Sequence, residues 1–86
     1  YGAEWYEGGT LHKATAKQWH ASTPQNQVAT AADFISALDA AQDERQLQER
    51  AFELAFCITE ATNDKALLSQ KVTTIATLCA ARLEYI

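Results

Sequence analysis

Two cysteines, Cys57 and Cys79, have the most distinctive side-chain chemistry in this chain of 86 residues. They form no Cys-x-x-Cys motif and neither lies at an evident helix start, so nothing indicates the activated thiol of a redox enzyme. If residues 44–62 and 65–85 are the two helices of one antiparallel hairpin, the cysteines are offset by about 15 Å, beyond the reach of a disulfide. We therefore expect two buried free thiols. The alternatives are an intermolecular bond, or an intramolecular disulfide that would require a broken last helix.

The two histidines, His12 and His20, are candidate metal ligands that Glu4 and Glu7 could join. Helical zinc sites commonly place two histidines four residues apart, and these two histidines do not have that spacing. Histidines outside such a pattern usually cap a helix or face solvent. We therefore expect no metal site here.

Other catalytic patterns are weak. Glu49 and Glu53 are one helical turn apart, as in an acid–base pair, but such pairs on a helix exterior usually form a solvated face. Gly8-Gly9 lacks the third glycine and the flanking strand and helix of a phosphate-binding loop. A small helical unit also rarely forms the concave pocket that small-molecule catalysis needs. The sequence therefore predicts no enzyme activity and no cofactor.

The composition indicates one small acidic domain over residues 1–86, with a net charge of −4 and 48% hydrophobic residues. Most of the acidic side chains lie between residues 24 and 64. A surface of this sign repels phosphate, so we expect no binding to nucleic acid or anionic membranes, and an electrostatic partner should be basic. No apolar run approaches the roughly 18 residues that a membrane span needs.

The chain contains no methionine, even at its first position. We interpret this as the processing of a longer product and expect an exported protein, secreted or periplasmic, with a cytoplasmic location as the alternative. Buried free thiols would fit a reducing compartment better than an exported one, so the two expectations are in tension.

Three aromatic side chains, Tyr1, Trp5 and Tyr6, belong to an amino-terminal arm of residues 1–9, which Gly8-Gly9 prevents from joining a helix. We expect an extended arm whose aromatic side chains complete the domain's own core. The alternative is that they anchor another protein, because a few buried aromatic side chains often dominate an interface.

A short helix is predicted over residues 11–21. Thr15 and Gln18 have the spacing of a capping box, and Leu11 and Trp19 are the side chains through which such a helix can dock. Trp19 therefore joins the three aromatic residues of the arm as a candidate partner contact.

Three main helices are predicted at about residues 24–41, 44–62 and 65–85, because their apolar side chains recur at helical spacing. Thr23 before Pro24 and Asp43 before Gln46 have the capping positions that mark the starts of the first two. The middle one contains the segment Ala51–Ile58, which is apolar nearly all round and is interrupted only by Glu53. Such a segment must be covered on several sides, so we expect it at the centre with Phe56 buried. The predicted fold class is all-α: a small bundle of three antiparallel helices with the short helix and the arm.

Two functions are compatible with these features. The first is a small non-enzymatic interaction protein, an accessory subunit or inhibitor that binds a larger protein partner, which could have a basic surface. The alternative is an exported stress or chaperone-like helical protein that exposes its apolar core when its carboxylates are protonated. No motif selects between them.

Overall fold

The computed structural model describes residues 4–86, so Tyr1 lies outside the described residues. The described residues form four α-helices and one 3₁₀ turn. These are α1 (Ala16–His20), α2 (Pro24–Ala37), α3 (Glu44–Ala61), the 3₁₀ turn Lys65–Leu67 and α4 (Val72–Arg82). α2 packs on α3 and α3 packs on α4, which confirms the predicted all-α bundle.

The first three α-helices begin at the capping residues that the sequence indicates. Thr15 and Gln18 form a capping box in which each side chain accepts a hydrogen bond from the other residue's backbone N–H. Thr23 caps α2 with Pro24 as its first residue, and Asp43 caps α3. These caps satisfy N–H groups that a helix start leaves unpaired. α1 is nevertheless shorter than the predicted helix, because its capping box lies at residue 15 and not at residue 11.

A residue with a left-handed backbone lies two positions beyond the last residue of α2 and of α4: Asp39 (φ 53°) and Glu84 (φ 64°). In both cases the N–H of the following residue donates to a carbonyl five residues earlier. This is the Schellman motif, in which glycine usually occupies the left-handed position. α2 therefore ends at Ala37, four residues before the predicted end, because the backbone reverses at Asp39.

The predicted last helix, residues 65–85, is broken near its start, and this part of the prediction is wrong. The side chain of Asp64 caps the 3₁₀ turn by accepting from the N–H of Ala66. An α-helix begins only at Val72, where Lys71 provides no side-chain cap.

Backbone pairing with a distant segment fixes the start of α4. The N–H of Val72 donates to the carbonyl of Ala14 over 2.9 Å, and the N–H of Ala16 donates to the carbonyl of Gln70 over 2.8 Å. We call this pairing of residues 14–17 with residues 68–72 the backbone crossing. It satisfies donors at the starts of both α1 and α4.

All four α-helices contribute to one apolar core. Its largest completely buried apolar side chains are Trp19 from α1, Ile35 from α2, Leu54 and Ile58 from α3, and Val72 from α4. The core therefore depends on segments from both ends of the described chain.

The expectation that the segment Ala51–Ile58 is covered on several sides is wrong. Leu54 and Ile58 are buried, but Phe52 is 54% exposed and Phe56 is 66% exposed. The neighbouring elements cover only one side of α3, so its aromatic side chains lie on the outer side.

The segment before α1 lies against α2. The N–H of Thr10 donates to the Asn26 side chain over 2.9 Å, and the N–H of Leu11 donates to the Thr30 hydroxyl over 3.2 Å. A Cβ atom on Gly9 would lie 2.6 Å from the backbone nitrogen of Thr30. Gly9 therefore permits a backbone-to-backbone approach that no other residue allows.

Candidate functional site

A groove lies between α3 and α4, and we call it the α3–α4 groove. It has a wider end of about 520 Å³ and a narrower end of about 180 Å³. The side chains of Cys57, Ala61 and Arg82 line both ends, so the two ends adjoin. Its other lining residues are Glu53, Phe56, Glu60 and Leu83 at the wider end, and Leu67, Ile75, Leu78 and Cys79 at the narrower end.

A disulfide between Cys57 and Cys79 lies in the floor of this groove and joins α3 to α4. The two Cα atoms are 6.0 Å apart, which is within the usual range for a disulfide. The expectation of two free thiols is therefore wrong. Its error follows from the broken last helix, because the non-helical segment before Val72 brings Cys79 back to the level of Cys57.

Large apolar side chains on and beside the groove are exposed. Phe56 lines the wider end, Phe52 lies one turn earlier on α3, and Leu78, which is 63% exposed, lines the narrower end. Phe52 and Phe56 are four residues apart, so they lie on the same side of the helix. Phe52 and Phe56 therefore form an exposed aromatic patch on the outside of α3, and Leu78 is a separate exposed apolar side chain on α4.

Two carboxylates line the groove on its α3 side. Glu53 and Glu60 are both exposed, and they precede and follow Phe56 along the helix. Arg82 on α4 is the one cationic side chain that lines the groove within residues 4–86. The α3 side of the groove is therefore acidic around an aromatic centre.

The carboxyl-terminal residues hold Glu53 in place. The hydroxyl of Tyr85 donates to Oε1 of Glu53 over 2.8 Å, and the guanidinium of Arg50 lies 5.1 Å from the centre of the Tyr85 ring. Arg50 also donates to the backbone carbonyl of Ala40. Burial, followed by the hydrogen bond to Glu53, raises the pKa of Tyr85 to about 12. Tyr85 therefore stays a neutral donor across the physiological pH range.

The arm aromatics that the sequence proposes as partner contacts lie on the domain itself. Trp5 and Tyr6 are half-buried against the core, with their rings edge to face and 5.4 Å apart. They lie in a turn in which the N–H of Glu7 donates to the carbonyl of Glu4, so this part of the arm is not extended as expected. Tyr1, the third arm aromatic, is outside the described residues.

Trp19, the fourth proposed partner contact, is completely buried. Its indole N–H donates to the hydroxyl of Thr59 on α3 over 3.0 Å. In this conformation Trp19 is a core residue and offers no surface to a partner.

The two histidines lie apart, and each contacts a different polar side chain. Nε2 of His12 lies 2.7 Å from Oδ2 of Asp33, and Nε2 of His20 lies 2.6 Å from the hydroxyl oxygen of Thr62. Within residues 4–86, no group of three or more His, Cys, Asp or Glu side chains is arranged to hold a metal ion. The same residues include no helix with the length and hydropathy to cross a membrane.

The exposed aromatic pair on α3 is the feature that sequence reasoning missed. The signal available in the sequence is the four-residue spacing of Phe52 and Phe56, which places both side chains on one side of the helix.

Comparison of the chain with protein-family models, with curated proteins and with solved structures found no match.

Proposed function

We propose that this chain is a small non-enzymatic interaction protein, an accessory subunit or inhibitor that binds a larger protein through its α3–α4 groove. The observation that carries the proposal is the exposure of Phe52, Phe56 and Leu78, which are each more than half accessible. Aromatic side chains are enriched in protein interfaces and often supply most of the binding energy.

The exposed aromatic patch supports a docking role. Phe52 and Phe56 present roughly 180–300 Å² of apolar surface, since an aromatic side chain covers about 150–250 Å² and each of these is more than half exposed. A standard interface buries about 800 Å² on each partner, so the patch would form the apolar centre of a contact that includes the polar groove walls.

The disulfide supports the same proposal. It ties α3 to α4 beneath the groove, so the groove walls keep their separation before a partner arrives. A pre-organised surface loses less conformational entropy on binding, which improves affinity without any added contact.

We also propose an extracytoplasmic location, secreted or periplasmic. The intramolecular disulfide supports it, because such bonds form and persist mainly in oxidising compartments. Mass measurement of the chain isolated from its natural source, with and without reductant, tests the proposal. A protein that is fully reduced in that source would count against it.

Affinity capture with matched surface variants tests the interaction. The oxidised chain should capture one partner in a fixed stoichiometry at neutral pH, as measured by native mass spectrometry of the complex. Phe56→Ser should abolish capture of that partner. Leu38→Ser should retain it, because Leu38 is an exposed apolar residue that lines a different groove, between α2 and α4.

Equal capture by Phe56→Ser and the unaltered chain would overturn the proposed contact surface. Binding to many unfolded clients only after acidification would instead favour the chaperone-like alternative.

A further inference from the structure

The spacing of charges beside Phe56 specifies the chemistry of a partner. Glu53 and Glu60 are seven residues apart on α3, which is about 10.5 Å along the helix axis. Both line the wider end of the groove, with Phe56 between them on the same wall. An occupant that covers Phe56 therefore meets a carboxylate on each side of its apolar contact.

The groove has the form of a site for a helix. It lies between two helices and is lined by the apolar side chains of Cys57, Ala61, Leu78 and Leu83, with Arg82 of α4 as its one cation within residues 4–86. An amphipathic helix commonly fills such a groove with apolar side chains at positions i and i+3 or i+4. Lysine or arginine residues seven positions apart on that helix would match the separation of the two carboxylates.

From this geometry we infer that the groove binds a basic amphipathic helix of the partner, with two cationic side chains two turns apart on either side of an apolar anchor. This inference rests on the proposed function and adds the partner's chemistry. Charge complementarity of this kind orients the partner and speeds association more than it adds affinity.

A second copy of this chain is a poorer occupant. A contact between two copies would bring together two molecules with a net charge of −4 each. Like charges brought together in an interface oppose association.

A pair of synthetic helical peptides tests the inference with the oxidised full chain. Both peptides carry leucines at positions i+3 and i+4. One has lysines at i and i+7, which lie on the same side of the helix as the leucines, and the other has glutamates at those two positions. Binding is measured by fluorescence anisotropy at low and at physiological ionic strength. The basic peptide should bind at least about tenfold more tightly than the acidic one, with a smaller difference at the higher ionic strength.

Charge variants assign the preference to the groove. The double variant Glu53→Gln with Glu60→Gln should weaken binding of the basic peptide by about tenfold. The matched control, Glu44→Gln with Glu49→Gln, changes the net charge equally on the same helix outside the groove and should leave binding unchanged. The reversal Glu53→Lys with Glu60→Lys should bind the acidic peptide better than the basic one. This gain of binding cannot arise from a folding defect.

Three results would overturn the inference. They are failure of the basic peptide to bind, equal binding of the two peptides, and a basic preference that survives the Glu53→Gln, Glu60→Gln double variant. A dimer in sedimentation that Phe56→Ser dissociates would identify a second copy as the occupant. If the captured natural partner depends on Phe56 but not on the two carboxylates, the proposed function stands and the partner chemistry inferred here is wrong.

Discussion

Alanine substitution on the two sides of α3 should have very different effects on stability. Leu54 is completely buried, so Leu54→Ala removes core contacts and should lower the free energy of unfolding by about 2–5 kcal/mol. Phe56 is 66% exposed, so only about a third of its side chain is removed from water. Full burial of such a side chain is worth about 1.5–3 kcal/mol, and Phe56→Ala should therefore lower stability by only about 0.5–1 kcal/mol.

These free energies correspond to separable melting temperatures. In a domain of this length, 1 kcal/mol shifts the midpoint by about 4–8 °C. Leu54→Ala should therefore melt at least about 8 °C below the unaltered chain, and Phe56→Ala within about 8 °C of it. The assay is thermal unfolding followed by far-ultraviolet circular dichroism, with all proteins oxidised. Glu49→Ala, an exposed substitution on the same helix, corrects for the effect of alanine on helix propensity.

Equal shifts in melting temperature for Leu54→Ala and Phe56→Ala would refute the assignment of one side of α3 as buried and the other as exposed. Phe56 would then belong to the core, and the proposed contact surface would lose its central residue. A small shift in melting temperature for Phe56→Ala together with loss of partner binding would instead show that Phe56 serves binding and not stability.

Further predictions concern the backbone and the carboxyl-terminal contact. Gly9→Ala should lower the free energy of unfolding by about 1–3 kcal/mol, because its Cβ would collide with the backbone of α2. Gly8→Asn, at a left-handed residue (φ 81°) with open space around it, should change stability by less than about 1 kcal/mol in the same urea titration. Asp39→Gly should raise the urea midpoint, with a gain of about 0.5–1 kcal/mol, because glycine occupies the left-handed position of a Schellman motif without strain. The raised pKa of Tyr85, about 12 against an ordinary 10.0, means that the folded chain holds this proton more tightly than the unfolded chain. The stability that this proton contributes should be complete below pH 10 and lost as the pH rises through about 12. Urea titrations of Tyr85→Phe should lack this alkaline loss of stability. An identical alkaline loss in the variant and the unaltered chain would refute the prediction.

The features that depend on neighbours in sequence could be predicted. In the caps at Thr15, Thr23 and Asp43 each side chain accepts from the N–H three residues later, so their spacing alone identifies them. The buried side of α2 could likewise be read from helical periodicity, and Ile35 is completely buried.

The features that depend on distant segments could not be predicted. The last helix breaks because residues 68–72 pair with residues 14–17, and no local signal marks that pairing. The disulfide could not be predicted for the same reason. An unbroken last helix separates Cys57 from Cys79 along the hairpin, and only the break before Val72 brings them together.

The exposed aromatic pair was missed for a different reason. A helical wheel gives the directions of Phe52 and Phe56 but not the number of neighbours available to cover them. A chain that supplies only a few packing neighbours leaves one side of a long apolar helix uncovered. The candidate site is therefore the part of α3 that the core does not use.

The backbone crossing also constrains the order in which this chain can fold during synthesis. α1 has only five residues, too few to be stable alone, and its first N–H groups are satisfied by the carbonyls of Leu68 and Gln70. A ribosome makes residues 68–72 well after residues 14–17, so the first N–H groups of α1 remain unpaired until both α2 and α3 have been made. Closing so long a loop is entropically unfavourable before α2 and α3 have met. We expect the hairpin of α2 and α3 to form first, and the backbone crossing to form in a later step.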